Sequence, residues 1–226
     1  MRGVLIFLAI IIVSFILLFI TYKYYKKYTE TDVNRLIIEN IYSTKNLVID
    51  NNKINSSYDG ITYSLVLDIN ITDYYENYGY WRHIFHKGNQ IIENKFEYFN
   101  QDYSGWDDLV LMNEVQNPGL WLHPTKNYLR FCLETGSNTI EQTKQIEYID
   151  IEVPTNTLIK LGIIVYNNQV IIYKNGKLVK IKQLKGVPEF NKGDLYFNID
   201  KTYSGILNRF IYYPYIITDS KIKSLI

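Results

Sequence analysis

At 226 residues, with a formal net charge of +1 and one cysteine, the chain is long enough for a membrane anchor and one substantial domain but not for two large ones. The near-zero charge excludes a phosphate-tracking nucleic-acid binder, which needs a clear basic excess. The lone Cys132 excludes an intrachain disulfide, and the heavy use of Ile, Asn, Lys and Tyr, with 22 Tyr, is the bias an AT-rich genome encodes.

Gly3 to Tyr22 carry no charged side chain, and Val4 to Ile20 are almost wholly Leu, Ile, Val and Phe. As a helix rising about 1.5 Å per residue this run reaches about 30 Å, the thickness of a bilayer's hydrocarbon core. Residues 1–22 are therefore expected to form a transmembrane anchor. The following Thr21-Tyr-Lys-Tyr-Tyr-Lys-Lys27 has no small-x-small cleavage site and has the aromatic and basic make-up of an interfacial belt. That makes the anchor uncleaved and single-pass. Lys23, Lys26 and Lys27 against Arg2 tilt the large domain toward the cytoplasmic side. The sequons Asn55-Ser-Ser57 and Asn70-Ile-Thr72 matter only if the domain is luminal.

Residues 23–45 read as a basic and aromatic juxtamembrane linker. Val33, Leu36, Ile37 and Ile41 fall at helical spacing behind possible caps at Thr31 and Asp32, which predicts a short amphipathic helix. The globular domain is placed at 46–226 and opens with a strand at Leu47 to Asp50. Ile61, Tyr63, Leu65, Leu67, Ile69 and Ile71 alternate with Thr62, Ser64, Asp68 and Asn70, the period-two pattern of a strand with one face on a core; Val66 is the apolar exception on the other face. Further strands are predicted at Trp81 to Lys87, Leu109 to Met112, Gly119 to His123, Tyr128 to Glu134 and Gln145 to Val153. Turn chemistry is read at Asn117-Pro118-Gly119 and at Pro124 to Asn127.

Leu161 to Tyr166, Val170 to Tyr173 and Lys177 to Lys182 make a three-strand meander. Asn175-Gly176 suits a type I′ turn, whose two central residues need φ > 0, and Asn167-Asn168 is read in the same way. The first two runs are apolar on both faces and look central, while the lysine-rich third looks like a solvated neighbour. Leu195 to Ile199 and Gly205 to Tyr213 complete the set, before one or two helical turns within Thr218 to Leu225. Many short strands without interleaved long helices predict an all-β antiparallel two-sheet sandwich.

The order of these motifs resembles the concanavalin A-like lectin/glucanase superfamily in its laminin-G-like form. The likeness rests on Tyr63-Ser-Leu-Val-Leu67, Ile84-Phe-His-Lys-Gly88, Pro118-Gly-Leu-Trp-Leu-His-Pro124, Leu129-Arg-Phe131 and Ile151-Glu-Val-Pro154. It continues through Val170-Ile-Ile-Tyr-Lys-Asn-Gly-Lys-Leu178, Tyr203-Ser-Gly-Ile-Leu207 and Ile211-Tyr-Tyr213. The proline-flanked segment is similar to lectin-like domains of large DNA viruses. The resemblance implies a jelly-roll sandwich, and family members that carry Trp and His before the meander differ here, where neither occurs. Glucanases of the superfamily carry two glutamates and an aspartate on one strand, and Glu147-Tyr-Ile-Asp150-Ile-Glu152 is superficially similar. On a strand, however, Asp150 and Glu152 share a face while Glu147 points away, so a glycoside hydrolase is the least favoured reading.

A sugar site needs an aromatic platform with polar groups beside it. Two loops supply the residue types, with Tyr78, Tyr80 and Trp81 in one and Trp106, Asp107 and Asp108 in the other. The aspartates offer hard oxygen ligands suited to calcium, as at the rim of some family members. His83 and His86, three apart on a strand, are expected to face opposite ways and to make a poor metal pair. His123 is expected to hydrogen-bond locally and Cys132 to pack as a small side chain. The sequence thus points to a non-enzymatic, membrane-anchored lectin-like binding domain, a viral structural or attachment protein meeting a glycan or protein at a virion or host membrane. The alternative is a scaffold linking an internal membrane to a capsid shell without sugar binding.

Overall fold

A computed structural model describes residues 11–23, 35–56, 61–89, 116–136, 144–199 and 202–226. The chain divides into two units, Met1–Asn34 and Arg35–Ile226. In the first, residues 11–23 form helix α1 with every side chain exposed. Among the described residues no helix is long and apolar enough to cross a membrane. The first ten residues of the expected anchor lie outside them.

Among the described residues the second unit is a sandwich of thirteen strands: β1 Leu36–Tyr42, β2 Leu47–Ile49, β3 Tyr63–Asp73, β4 Arg82–Gly88, β5 Gln116–Leu122, β6 Tyr128–Gly136, β7 Lys144–Glu152, β8 Leu158–Tyr166, β9 Gln169–Lys174, β10 Lys177–Gln183, β11 Val187–Pro188, β12 Asp194–Phe197 and β13 Ser204–Tyr213. A short helix, α2, follows at Asp219–Leu225. The strands form a six-stranded sheet in the order β1-β13-β3-β8-β9-β10 and a seven-stranded sheet in the order β11-β6-β5-β4-β12-β2, with β7 paired to β6. This is the all-β antiparallel two-sheet sandwich expected, and its order is consistent with a jelly-roll.

Period-two alternation builds the core. Leu65, Leu67, Ile69 and Ile71 of β3 and Ile159, Leu161, Ile163 and Val165 of β8 face Leu120, Leu122, Leu129, Phe131, Ile149 and Ile151 of the other sheet. Phe85, Phe197 and Phe210 meet at its centre, edge to face across 5.0–5.1 Å for Phe210 against the other two. Val66, the apolar residue out of phase, lies beneath α2. It joins Ile164, Tyr173, Ile211, Ile217 and Ile222 in a second apolar cluster on the outside of the six-stranded sheet. Gly162, opposite Val66 in the pairing of β3 with β8, leaves the space that Ile222 fills: a Cβ there would meet Ile222 Cδ1 at 2.4 Å.

Three sequence expectations are corrected. Leu36–Tyr42 is a strand, not a helix, because it pairs along the whole edge of β13. Ile37, Ile38 and Ile41 suit that pleated surface, and the long-range pairing outweighs a weak local helical pattern. Asn117-Pro118-Gly119 lies inside β5 rather than in a turn. Pro118 is tolerated there because it falls at a register shift and pairs with neither β4 nor β6. Asn175 and Gly176 both have positive φ, as type I′ requires, but of Asn167-Asn168 only Asn167 does, the pattern of a type II′ turn. The strand expected at Leu109 to Met112 lies outside the described residues.

Candidate functional site

At the end of the sandwich where β3 leads into β4, the chain makes a tight loop tied down at almost every residue. Asp73 Oδ1 accepts from Tyr75 N at 2.8 Å, and Asn77 Nδ2 donates to Thr202 O at 2.9 Å. Tyr78 N donates to Tyr75 O, Tyr80 N to Asn77 O and Gly79 N to Pro124 O. Asn77 and Gly79 take the positive φ the turn demands. Beneath it the fully buried Arg82 acts as a staple, its Nη1 donating to Tyr74 O and Nη2 to His123 O, so two neighbouring loops hang on one side chain. Burial pulls this guanidinium down to about 10. The loop thus presents Tyr75, 79% exposed, and Tyr78, 49% exposed, with ring centroids 6.1 Å apart. Because the backbone is already ordered, a ligand stacking on these rings meets little further entropic cost.

Of the residues read from sequence, Tyr78 stands on this rim and Tyr80 is half-buried behind it. Trp81 is not an open platform: it is only 7% exposed, with the Arg130 guanidinium 4.8 Å over its ring and the His123 ring edge-on at 5.1 Å. Arg130 sits between Trp81 and Tyr148, which is 3.7 Å from it, and forks onto Asp150 with Nε–Oδ1 2.7 Å and Nη2–Oδ2 2.8 Å. Its Nη1 has no hydrogen-bond partner among the described residues. His123 Nδ1 accepts from Thr125 N and Lys126 N, which puts the ring proton on Nε2. Burial, and then the Arg130 charge, lowers this imidazole to about 4, so it is neutral. Trp106, Asp107 and Asp108 lie outside the described residues.

The expectation that His83 and His86 face opposite ways is overturned. A register shift between His83 and Phe85 in the pairing of β4 with β5 adds a residue to the alternation and brings both rings to one face. His83 Nε2 and His86 Nδ1 are 2.8 Å apart. Ile199 N donates to His83 Nδ1 at 3.0 Å and Asn89 O lies 2.8 Å from His86 Nε2. The chain of donors therefore runs from Ile199 N–H through both imidazoles to a carbonyl, with each proton on Nε2. Burial lowers both pKa values, His86 to about 4. Among the described residues no group of three or more His, Cys, Asp or Glu could hold a metal ion.

Glu147 and Asp150 occupy opposite faces of β7. Glu147 Oε1 accepts from Thr135 Oγ1, Lys185 N and Gly186 N, whereas Asp150 is engaged with Arg130, so the two carboxylates do not flank one substrate. Cys132 is buried and burial pushes its thiol to about 12. Sequence reasoning missed Tyr75, Arg82 and Arg130. Tyr75 had the same signal as Tyr78, while Arg82 and Arg130 needed loop and register information that alternation does not carry.

No protein-family model matches the chain, and no curated protein matches it. Solved structures do. The CBM40 of Ruminococcus gnavus IT-sialidase bound to alpha2,3 sialyllactose is similar at 13% identity and a TM-score of 0.54, over 84% of this chain and 97% of that one. The binding domain of botulinum neurotoxin DC in complex with SialylT is 17% identical with a TM-score of 0.54, over 84% of this chain. The binding domain of Paraclostridial Mosquitocidal Protein 1 is 14% identical with a TM-score of 0.52, over 85% of this chain. This chain spans 41% of the neurotoxin structure's length and 45% of the mosquitocidal protein's. At these identities the likeness shows the fold alone, a two-sheet β-sandwich.

Proposed function

We propose that the chain is a non-enzymatic, lectin-like binding domain that recognises a glycan at the rim carrying Tyr75 and Tyr78. The observation that carries this reading is the pair of exposed rings on a loop tied by Arg82, Asn77 and Asp73. Such a loop offers flat apolar surface for a pyranose, with backbone and side-chain polar groups beside it. Similarity to a sialyllactose-bound carbohydrate-binding module supports it. Trp106, Asp107 and Asp108 belong to the proposed site on their chemistry alone, the aspartates as calcium ligands.

The setting is a single-pass membrane tether through the apolar stretch of residues 3–22, in a virion or host membrane, on a structural or attachment protein of a virus particle. That setting is supported by the apolar run's length, by the likeness of the laminin-G-like motifs to viral lectin-like domains and by the composition.

The test is a glycan-array screen of the detergent-solubilised full chain, with calcium and with chelator. Selective binding that is lost in Tyr78→Ala and kept in a surface control is the expected result. Loss on chelation would add the metal. A blank from folded protein would refute the lectin reading.

A further inference from the structure

The two sheets leave open edges along one flank, and the chain treats them differently. The outward carbonyls of β7 are covered by lysines from the facing sheet: Lys182 Nζ donates to Tyr148 O at 2.8 Å and Lys174 Nζ to Glu152 O at 2.9 Å, with Glu147 Oε2 3.7 Å from Lys182 Nζ. Among the described residues edge β10 has no such cover. It is the last strand of its sheet and pairs only with β9 among the described residues. Leu178, Val179 and Ile181 are 49%, 46% and 57% exposed. The edge β2 of the other sheet is three residues long, whereas β10 offers seven. A long edge with exposed apolar side chains is a template for another strand.

Charge decides which strand. The sequence of β10, KLVKIKQ, holds three lysines and no acid. Lys177 and Lys180 are exposed and make no ion pair among the described residues. A second copy of β10 laid against the first would set lysine near lysine, which is destabilising, and the register shift between Leu178 and Lys180 further disfavours unselective pairing. An extended segment that alternates acidic and apolar residues meets both features at once, carboxylates against Lys177 and Lys180 and apolar side chains against Leu178 and Ile181.

We propose that β10 is a docking edge for an acidic, extended segment of a partner protein, which adds to the six-stranded sheet as a further strand through main-chain hydrogen bonds. This surface is separate from the tyrosine rim and stands whether or not that rim binds sugar. Main-chain pairing gives the affinity, and the lysines select the partner and make association salt-dependent.

The test uses the full chain in detergent micelles with two seven-residue synthetic peptides, one alternating glutamate with valine and one alternating lysine with valine. Binding is read by fluorescence anisotropy, and amide hydrogen exchange locates it. The glutamate peptide is expected to bind, to slow exchange in Leu178 to Gln183, and to weaken at least tenfold in Lys177→Glu/Lys180→Glu, where the preference passes to the lysine peptide. Both positions are exposed, so the double variant keeps the fold, which its unchanged melting temperature checks. Protection of another segment, equal binding of both peptides, or indifference to the charge reversal would overturn the proposal. So would protection of β10 by anionic phospholipid vesicles but not by peptide, or concentration-dependent self-association that protects β10 without any peptide.

Discussion

The outer face of the six-stranded sheet is closed by apolar contacts, with Ile222 of α2 seated over Gly162 and Val66, whereas the outer face of the seven-stranded sheet buries polar and charged groups. There Arg130 lies between Trp81 and Tyr148, and two imidazoles share a proton chain. Apolar cover stabilises a fold with no need of directional partners. A buried guanidinium or imidazole requires every donor and acceptor to be placed, and among the described residues Arg130 Nη1 is without a partner. The first face is built for holding the sandwich together. The second, which packs Trp81 against the His123 ring, is built for positioning groups.

Disturbing the apolar face has the largest expected effect. Ile222→Ala removes a fully buried side chain and is expected to lower unfolding free energy by about 2–4 kcal/mol in urea titrations, with ligand binding at the rim unchanged at saturating protein stability. If binding fell in proportion to stability loss, the two faces would not be separable. Acid strikes the other face. His83 and His86 bind protons near pH 6.5 when unfolded but only well below that when folded, His86 at about 4. The unfolded chain therefore carries more protons in that window, and stability, complete above pH 6.5, drains away as pH falls toward 4. His86 alone accounts for about 3 kcal/mol on this basis, and His86→Gln should flatten the stability–pH curve measured by thermal melts between those values.

A smaller effect is expected from Asp150→Asn, which leaves Arg130 buried without its anion. Because Asp150 is itself about a third exposed, solvent moderates the loss to about 1–2 kcal/mol, with Arg130→Met/Asp150→Asn recovering part of it. Least of all should be the stability change in Tyr75→Ala/Tyr78→Ala, under about 0.5 kcal/mol, since exposed substitutions away from packing are near neutral.

Much of this contrast was legible in the chain. Alternation along Tyr63 to Ile71 and the Asn175-Gly176 turn identified the six-stranded sheet's centre, because both signals are local. Val66 stood out as a misplaced apolar residue, and α2 explains it. What stayed hidden is non-local. Leu36 to Tyr42 imitated a helix until β13 offered its edge. One added residue in β4 turned His83 toward His86, and no period count reveals a bulge. Arg130 and Asp150, 20 residues apart, meet only through the register of β6 with β7. Tyr78, read from its type and loop, is exposed, yet Trp81, read by the same logic, is enclosed by Arg130 and His123.

The central claim, that the tyrosine rim binds and the buried face beneath it only positions, is tested most directly by calorimetric titration of the best array ligand into wild-type chain and into Tyr75→Ala/Tyr78→Ala. The account predicts at least a tenfold weaker affinity with an unchanged melting temperature. Equal affinity in the two proteins would contradict it and move the site away from the rim.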